Sequence, residues 1–239
     1  MELLQKTLVQ LNISTERETI LKFEKYMRLV LRWNEKVNLT AIKEEKDFIK
    51  KHFVDSILCA DFDEFKKAKT VVDVGTGAGF PGVPLAILFP EKEFLLIDSL
   101  DKRMKIVRDL IETVEIPNVT ALHGRAEDLA ANPAYREQFD VCVSRAVAKL
   151  PVLAEYCLPF VRTGGFFLAY KSAGTEKERL RAENASRRLG GGKIEEKRLS
   201  LAGVDGGHIF FVVEKIADTP AKYPRKAGIP SKRPLLCFF

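Results

Sequence analysis

Val71-Val72-Asp73-Val74-Gly75-Thr76-Gly77-Ala78-Gly79-Phe80-Pro81-Gly82 is an apolar run that ends in an acid and then breaks into closely spaced glycines. The β-branched residues around Asp73 predict a buried parallel strand, and the glycines followed by Val83-Pro84-Leu85-Ala86-Ile87-Leu88 predict a tight turn into a helix. Such a turn suits a nucleotide-like ligand. Glycine takes positive φ and lets a ligand approach without meeting a Cβ, while a helix start offers unpaired N–H groups. A dinucleotide fingerprint is excluded because Phe80 stands where its last glycine is required, and a P-loop because no Gly-Lys-Ser/Thr follows.

What remains, D-x-G-x-G-x-G, resembles the first motif of S-adenosylmethionine-dependent methyltransferases. Downstream, strand and helix patterns alternate. Strands are predicted at Glu93–Ile97, Val119–Leu122, Phe139–Ser144 and Gly165–Tyr170, with helices at Asp101–Val114, near Val152–Val161 and at Glu176–Leu189. Lys193–Leu201 and His208–Lys215, joined by Gly203-Val204-Asp205-Gly206-Gly207, read as a closing strand pair. The fold class is therefore α/β: a Rossmann-like, mostly parallel sheet with an antiparallel edge. Upstream, residues 1 to about 60 read as helical. Thr15-x-x-Glu18 has the form of a capping box, Ile20, Phe23, Met27, Val30 and Leu31 recur at helical steps, and a second pattern runs from Glu45 to Ala60. The polar stretch Asp61–Lys69 suggests a boundary. The expected division is a helical region at 1–65, a methyltransferase domain at 66–217 and a basic tail at 218–239.

In a sheet of this kind the ligand lies across the carboxyl ends of the strands. Asp73 and Gly75, Asp98 and Ser99, Arg125-Ala126-Glu127-Asp128, and Ser144-Arg145-Ala146 should therefore meet. Asp98, at the end of the second strand, can accept both ribose hydroxyls, and Ala126-Glu127 stand where an adenine edge is read. Asp73 either assists the cationic end of the cofactor or holds the glycine turn. Arg145 occupies the place where amino-directed nucleic-acid methyltransferases carry an acid or an Asn-Pro-Pro motif, and a donor there suits the acceptor edge of guanine. His52, Asp55 and Ser56 can share one helical face; a hydrolase triad is a poor reading without a nucleophile elbow, which leaves substrate contact or bracing of the domain junction.

The 239 residues carry a formal charge of +6, and residues 215–239 hold six Lys or Arg against one Asp. A flexible basic end suggests a polyanionic partner bound in a salt-dependent way. No stretch reads as a membrane span or signal peptide, and Cys59, Cys142, Cys157 and Cys237 are far apart without a C-x-x-C pair. A cytoplasmic protein with reduced thiols and no metal is expected.

Several stretches together resemble the bacterial 16S rRNA guanine-N7 methyltransferases, long called glucose-inhibited division protein B. They are Trp33-Asn34-Glu35-Lys36-Val37-Asn38-Leu39-Thr40, His52-Phe53-Val54-Asp55-Ser56-Ile57, the glycine turn, Asp98-Ser99-Leu100-Asp101-Lys102-Arg103, Arg125-Ala126-Glu127, Ser144-Arg145-Ala146-Val147-Ala148, Lys171, and Lys222-Tyr223-Pro224-Arg225-Lys226-Ala227-Gly228-Ile229-Pro230. Leu235–Phe239 match no motif. The resemblance implies S-adenosyl-L-methionine as cofactor, contacts at Gly75, Phe80, Ala126, Glu127 and Arg145, and a guanine in the decoding-region hairpin loop of 16S rRNA as target. Asp98 and Ser99 join the cofactor set from the strand-end reading. Arg145 is the candidate catalytic residue, and His52, Lys171, Lys222, Arg225 and Lys226 are candidates for contact with RNA. A monomer acting on 16S rRNA or the small ribosomal subunit is expected. The competing readings are a methyltransferase of small molecules or proteins, and a non-catalytic RNA-binding protein with a degenerate pocket.

Overall fold

The computed structural model describes residues 1–171, 176–200 and 208–236. Among them, β1 (Thr70–Val74), β2 (Glu93–Asp98), β3 (Val119–His123), β4 (Phe139–Arg145), β5 (Val161–Lys171), β6 (Gly191–Leu199) and β7 (His208–Lys215) form one sheet in the order β3-β2-β1-β4-β5-β7-β6. β1 to β5 run parallel, whereas β7 pairs antiparallel with both β5 and β6. The chain first steps from β1 outward to β3 and then returns to lay β4 on the other side of β1. A topological switch therefore falls at the carboxyl end of β1, where open α/β sheets bind ligands.

The helix at Asp101–Val114 and strand β7 have the bounds their periodicity predicts. β5 begins earlier than expected, at Val161, because the preceding helix stops at Cys157 and a short 3₁₀ turn, Leu158–Phe160, leads into the strand. The expected capping box does not form. The long N-terminal helix runs Arg17–Asn34 with Glu16 in the N-cap position and no side-chain cap, so Thr15 lies one residue too early. The expected link at 203–207 lies outside the described residues.

Alternation along β1 sends Val71 into one core cluster and Val72 and Val74 into another, one on each face of the sheet. The first cluster also contains Phe23, Tyr26, Phe48 and Phe53, so the N-terminal helices cover that face. Phe62 and Phe65, in the stretch that reads as polar, turn inward, and the Phe62 ring meets Phe210 edge-on at 4.9 Å. The second cluster takes in Tyr223 and Leu235 from the C-terminal segment.

Candidate functional site

A cleft of about 600 Å³ opens where the carboxyl ends of β1 to β4 converge, a size suited to a small-molecule ligand. Gly75, Thr76, Gly77, Ala78, Phe80, Asp98, Ser99, Ala126, Glu127 and Arg145 all line it. Six of the expected cofactor residues thus come from separate strand ends to one cavity, with Phe80 joining them from the turn. The backbone explains how. Gly75 and Thr76 donate their N–H groups to Ile97 O at 2.9 and 3.1 Å, and Gly124 donates to Asp98 O at 3.0 Å, which brings the loops after β1, β2 and β3 side by side.

Asp73 ties the glycine turn from below. Fully buried, its Oδ2 accepts from Thr76 Oγ1 at 2.7 Å and from Gly82 N at 2.8 Å. Burial pushes this carboxyl up to about 6, opposed by those two hydrogen bonds. Of the two roles open to Asp73, the geometry shows the turn-holding one. Gly75 sits at φ +76°, and a Cβ there would run into Val147. Gly77, at φ +61°, faces open space, so its backbone can meet a ligand closely. Asp98 lies across from it, Oδ2 accepting from Gly77 N at 3.0 Å and Oδ1 from Leu100 N at 2.9 Å.

Sequence reasoning missed Tyr26. Its hydroxyl donates to Ala78 O at 2.6 Å, and its ring meets Phe80 edge-on at 5.9 Å, so the helix Arg17–Asn34 fixes the far side of the turn. A tyrosine on the apolar face of an amphipathic helix was the available signal, because a buried phenol needs an acceptor.

Arg145 ends β4 at the centre of a polar hub. Nη1 donates to Lys51 O at 2.8 Å and stands 3.6 Å from Asp55 Oδ2; Nη2 reaches His52 Nδ1 at 3.2 Å; the guanidinium lies 5.6 Å from the Phe80 ring centre. Arginine only donates, so His52 Nδ1 is the acceptor and Nε2 carries the proton that bonds Thr40 Oγ1 at 2.7 Å. Burial, reinforced by Arg145 and Lys51, holds His52 down to about 3, so the ring is neutral. It stacks on Phe80 with centroids 4.3 Å apart and planes 7° from parallel. Asp55 also meets His208 Nδ1 at 3.1 Å; burial raises its carboxyl while Arg145 and His208 oppose the rise. The Ser56 hydroxyl turns back to His52 O, which removes it from any catalytic arrangement with His52.

The expected RNA contacts separate into distinct environments. His52 is committed to Phe80, Thr40 and Arg145 within the cleft. Lys171 is engaged inside the fold, with Nζ 2.8 Å from Glu178 Oε2 and 3.0 Å from Ala148 O. Arg225 grips the fully buried Glu155 through its Nε at 2.9 Å and Nη2 at 2.6 Å. Each of these three side chains is held by a partner inside the fold. Lys222 and Lys226 remain exposed, the former 5.5 Å from the Tyr223 ring centre. The segment expected to be flexible is packed: Arg136 Nη1 donates to Tyr223 O at 2.9 Å, and Asn184 Nδ2 donates to Leu236 O at 2.9 Å. Among the described residues, no group of three or more His, Cys, Asp or Glu could hold a metal, and no helix is long and apolar enough to cross a membrane.

Comparison with known proteins adds a family signal. Residues 19–198 match the family described as rRNA small subunit methyltransferase G. The ribosomal RNA small subunit methyltransferase G of Clostridium tetani is 48% identical over 213 residues, covering 89% of each chain. That of Clostridium kluyveri is 46% identical over 234 residues, covering 98% of each. An O-methyltransferase from Bacillus cereus, solved in complex with SAH, shares the fold at a TM-score of 0.55 and 18% identity, covering 87% of this chain and 95% of that one.

Proposed function

The chain belongs to the family of rRNA small subunit methyltransferase G, and from that membership we propose that its cleft transfers a methyl group from S-adenosyl-L-methionine to N7 of a guanine in the decoding-region hairpin loop of 16S rRNA. The observation that carries this reading is the convergence of the loops after β1, β2, β3 and β4 on one cavity bounded by a glycine turn and two buried carboxylates, Asp98 and Glu127. The open face of Gly77 and the acidic edge opposite it fit an adenosyl group. S-adenosylmethionine, when bound, supplies a methyl group on a sulfonium sulfur.

On this reading Gly75 and Gly77 admit the cofactor without side-chain interference, Asp98 and Ser99 hold its ribose, and Ala126 and Glu127 flank the adenine. Phe80 and Arg145 bound the end where the methyl group leaves. Guanine N7 has a lone pair and no proton to lose, so alignment and charge placement are what the chain must supply. A guanidinium suits the acceptor edge of guanine but opposes the positive charge that grows on the ring. Lys51 O, His52 Nδ1 and Asp55 hold Arg145 back over Phe80, which supports a role in orienting the base from a set distance. The rim formed by Leu39, Thr40 and Val147 is the proposed entrance for the base. The exposed Lys222 and Lys226 are proposed to meet RNA phosphates, and the cytoplasm, where the substrate resides, is the proposed location.

Small ribosomal subunits lacking the modification, incubated with the purified protein and S-adenosylmethionine and mapped by mass spectrometry, test the reading. One guanine in that loop should gain one methyl at N7. Methylation at an amino group, or none with cofactor bound, would overturn it.

A further inference from the structure

We propose that the C-terminal segment Arg225–Ser231 is a wall of the cofactor cleft that positions Glu127, and that the Glu155–Arg225 pair is the clamp holding it in place. The inference rests on the reading of the cleft as the cofactor site. Glu127 is 5% exposed, and its Oε1 accepts from Gly228 N at 2.8 Å. Gly228 sits at φ +80°, so the backbone turns there in a conformation that suits glycine and directs its N–H at the carboxylate. Ser231, three residues on, lines the same cleft as Asp98 and Glu127. One oxygen of Glu127 is thereby fixed by the strap, which sets the direction of the other.

The clamp is built for strength. Glu155 is fully buried and receives the backbone N–H of Arg225 at 2.8 Å, its Nε at 2.9 Å and its Nη2 at 2.6 Å. Such paired, charge-assisted bonds in a desolvated setting fix geometry as well as contact. Glu155 belongs to the helix Leu150–Cys157, whose Tyr156 also lines the cleft and which follows the Arg145–Ala148 loop directly. The segment is secured on both sides of the clamp, by Arg136 Nη1 on Tyr223 O and by burial of Leu235. A ligand that engages Glu127 must therefore be linked to docking of the strap, and linkage makes the effect reciprocal: a docked strap tightens the cofactor, and the cofactor holds the strap.

The test is made on the full chain with S-adenosylhomocysteine. Calorimetry on the wild type and on Arg225→Met should show Kd raised about fivefold or more by the substitution, with KM for the methyl donor rising in step and kcat at saturating donor changed less than about twofold. Because Arg225→Met leaves Glu155 without its partner and can impair folding, a second measurement uses the wild type alone. Trypsin cleavage after Lys222, Lys226 and Lys232 should slow about threefold or more with the ligand present, relative to cleavage after the exposed Lys6 of the helix Glu2–Gln10. An unchanged Kd in a folded Arg225→Met protein overturns the proposal, as does strap cleavage insensitive to the ligand. Loss of rRNA affinity with unchanged Kd overturns it also, making the segment an RNA contact. Failure of the wild type to bind S-adenosylhomocysteine overturns the cofactor reading of the cleft itself.

Discussion

Two segments border the same cleft and were encoded in opposite ways. The glycine turn has its buried anchor within its own motif, where Asp73 bonds Thr76 three residues on and Gly82 nine residues on, and Ile97, Asp98 and Tyr26 brace it from farther away. The C-terminal strap is held by partners 70 and 101 residues away, Glu155 and Glu127. A turn whose anchor and glycines lie within one motif announces its shape in the order of its residues. A strap whose contacts lie across the fold announces only its charge, and its charge reads as a solvated, RNA-seeking tail. Arg225 counts as one more positive residue until Glu155 is seen beneath it.

The contrast can be attacked first at the turn. Gly75→Val forces a β-branched side chain into a left-handed backbone, at a cost on the order of 1–2 kcal/mol before its collision with Val147 is counted. Titration with S-adenosylhomocysteine should then show Kd weakened by about 100-fold or more. Retained affinity would mean that the turn is not where the ligand lies. The next effect belongs to the hub between the two regions. Arg145→Lys keeps the charge opposite Asp55 yet loses the planar fork shared between Lys51 O and His52, so single-turnover methylation should slow about tenfold or more while the melting temperature stays within a few degrees. An unchanged rate would remove Arg145 from the site.

On the strap, Lys222→Ala with Lys226→Ala sharpens the comparison by separating its outward face from its clamp. Each lost phosphate contact should lower the salt dependence of rRNA binding by about 0.7–0.9 in log–log slope, with cofactor Kd unaltered. The smallest effect is a pH dependence. His52 is held down to about 3 in the fold and sits near 6.5 unfolded, so between those values the unfolded chain takes up a proton that the native one does not. Its contribution to stability is complete above 6.5 and declines as the pH falls through that window. His52→Asn should flatten this part of the profile relative to wild type, as read from denaturant midpoints at pH 7.5 and 5. The Asp73 carboxyl, raised to about 6, works in the opposite direction, its contribution declining as the pH climbs from about 4 to 6, and it is common to both proteins.

The sheet was legible because its central strands β1, β2 and β4 are buried on both faces and bounded by turn residues, and because helix Asp101–Val114 keeps its apolar residues at regular steps. The convergence of Gly75, Asp98, Ala126, Glu127 and Arg145 was legible too, since strand ends in a doubly wound sheet must meet whatever the side chains are. Illegible were the groups that act across the fold. Tyr26 passes for a core residue, Thr40 for a loop polar group, and Lys171 for a basic residue open to RNA, until Ala78 O, His52 and Glu178 appear beside them. Pairing between distant elements leaves no period or spacing in a single sequence, and burial, which decides whether a charge faces water or a partner, is a property of the assembled molecule.

The most direct measurement is a crystal structure of the protein with S-adenosylhomocysteine. The account predicts the ribose on the Asp98 carboxylate, the adenine beside Ala126 and Glu127, and the sulfur directed toward the Phe80 and Arg145 end of the cleft. A ligand bound elsewhere, or one lying in the cleft with its ribose turned away from Asp98, would contradict it.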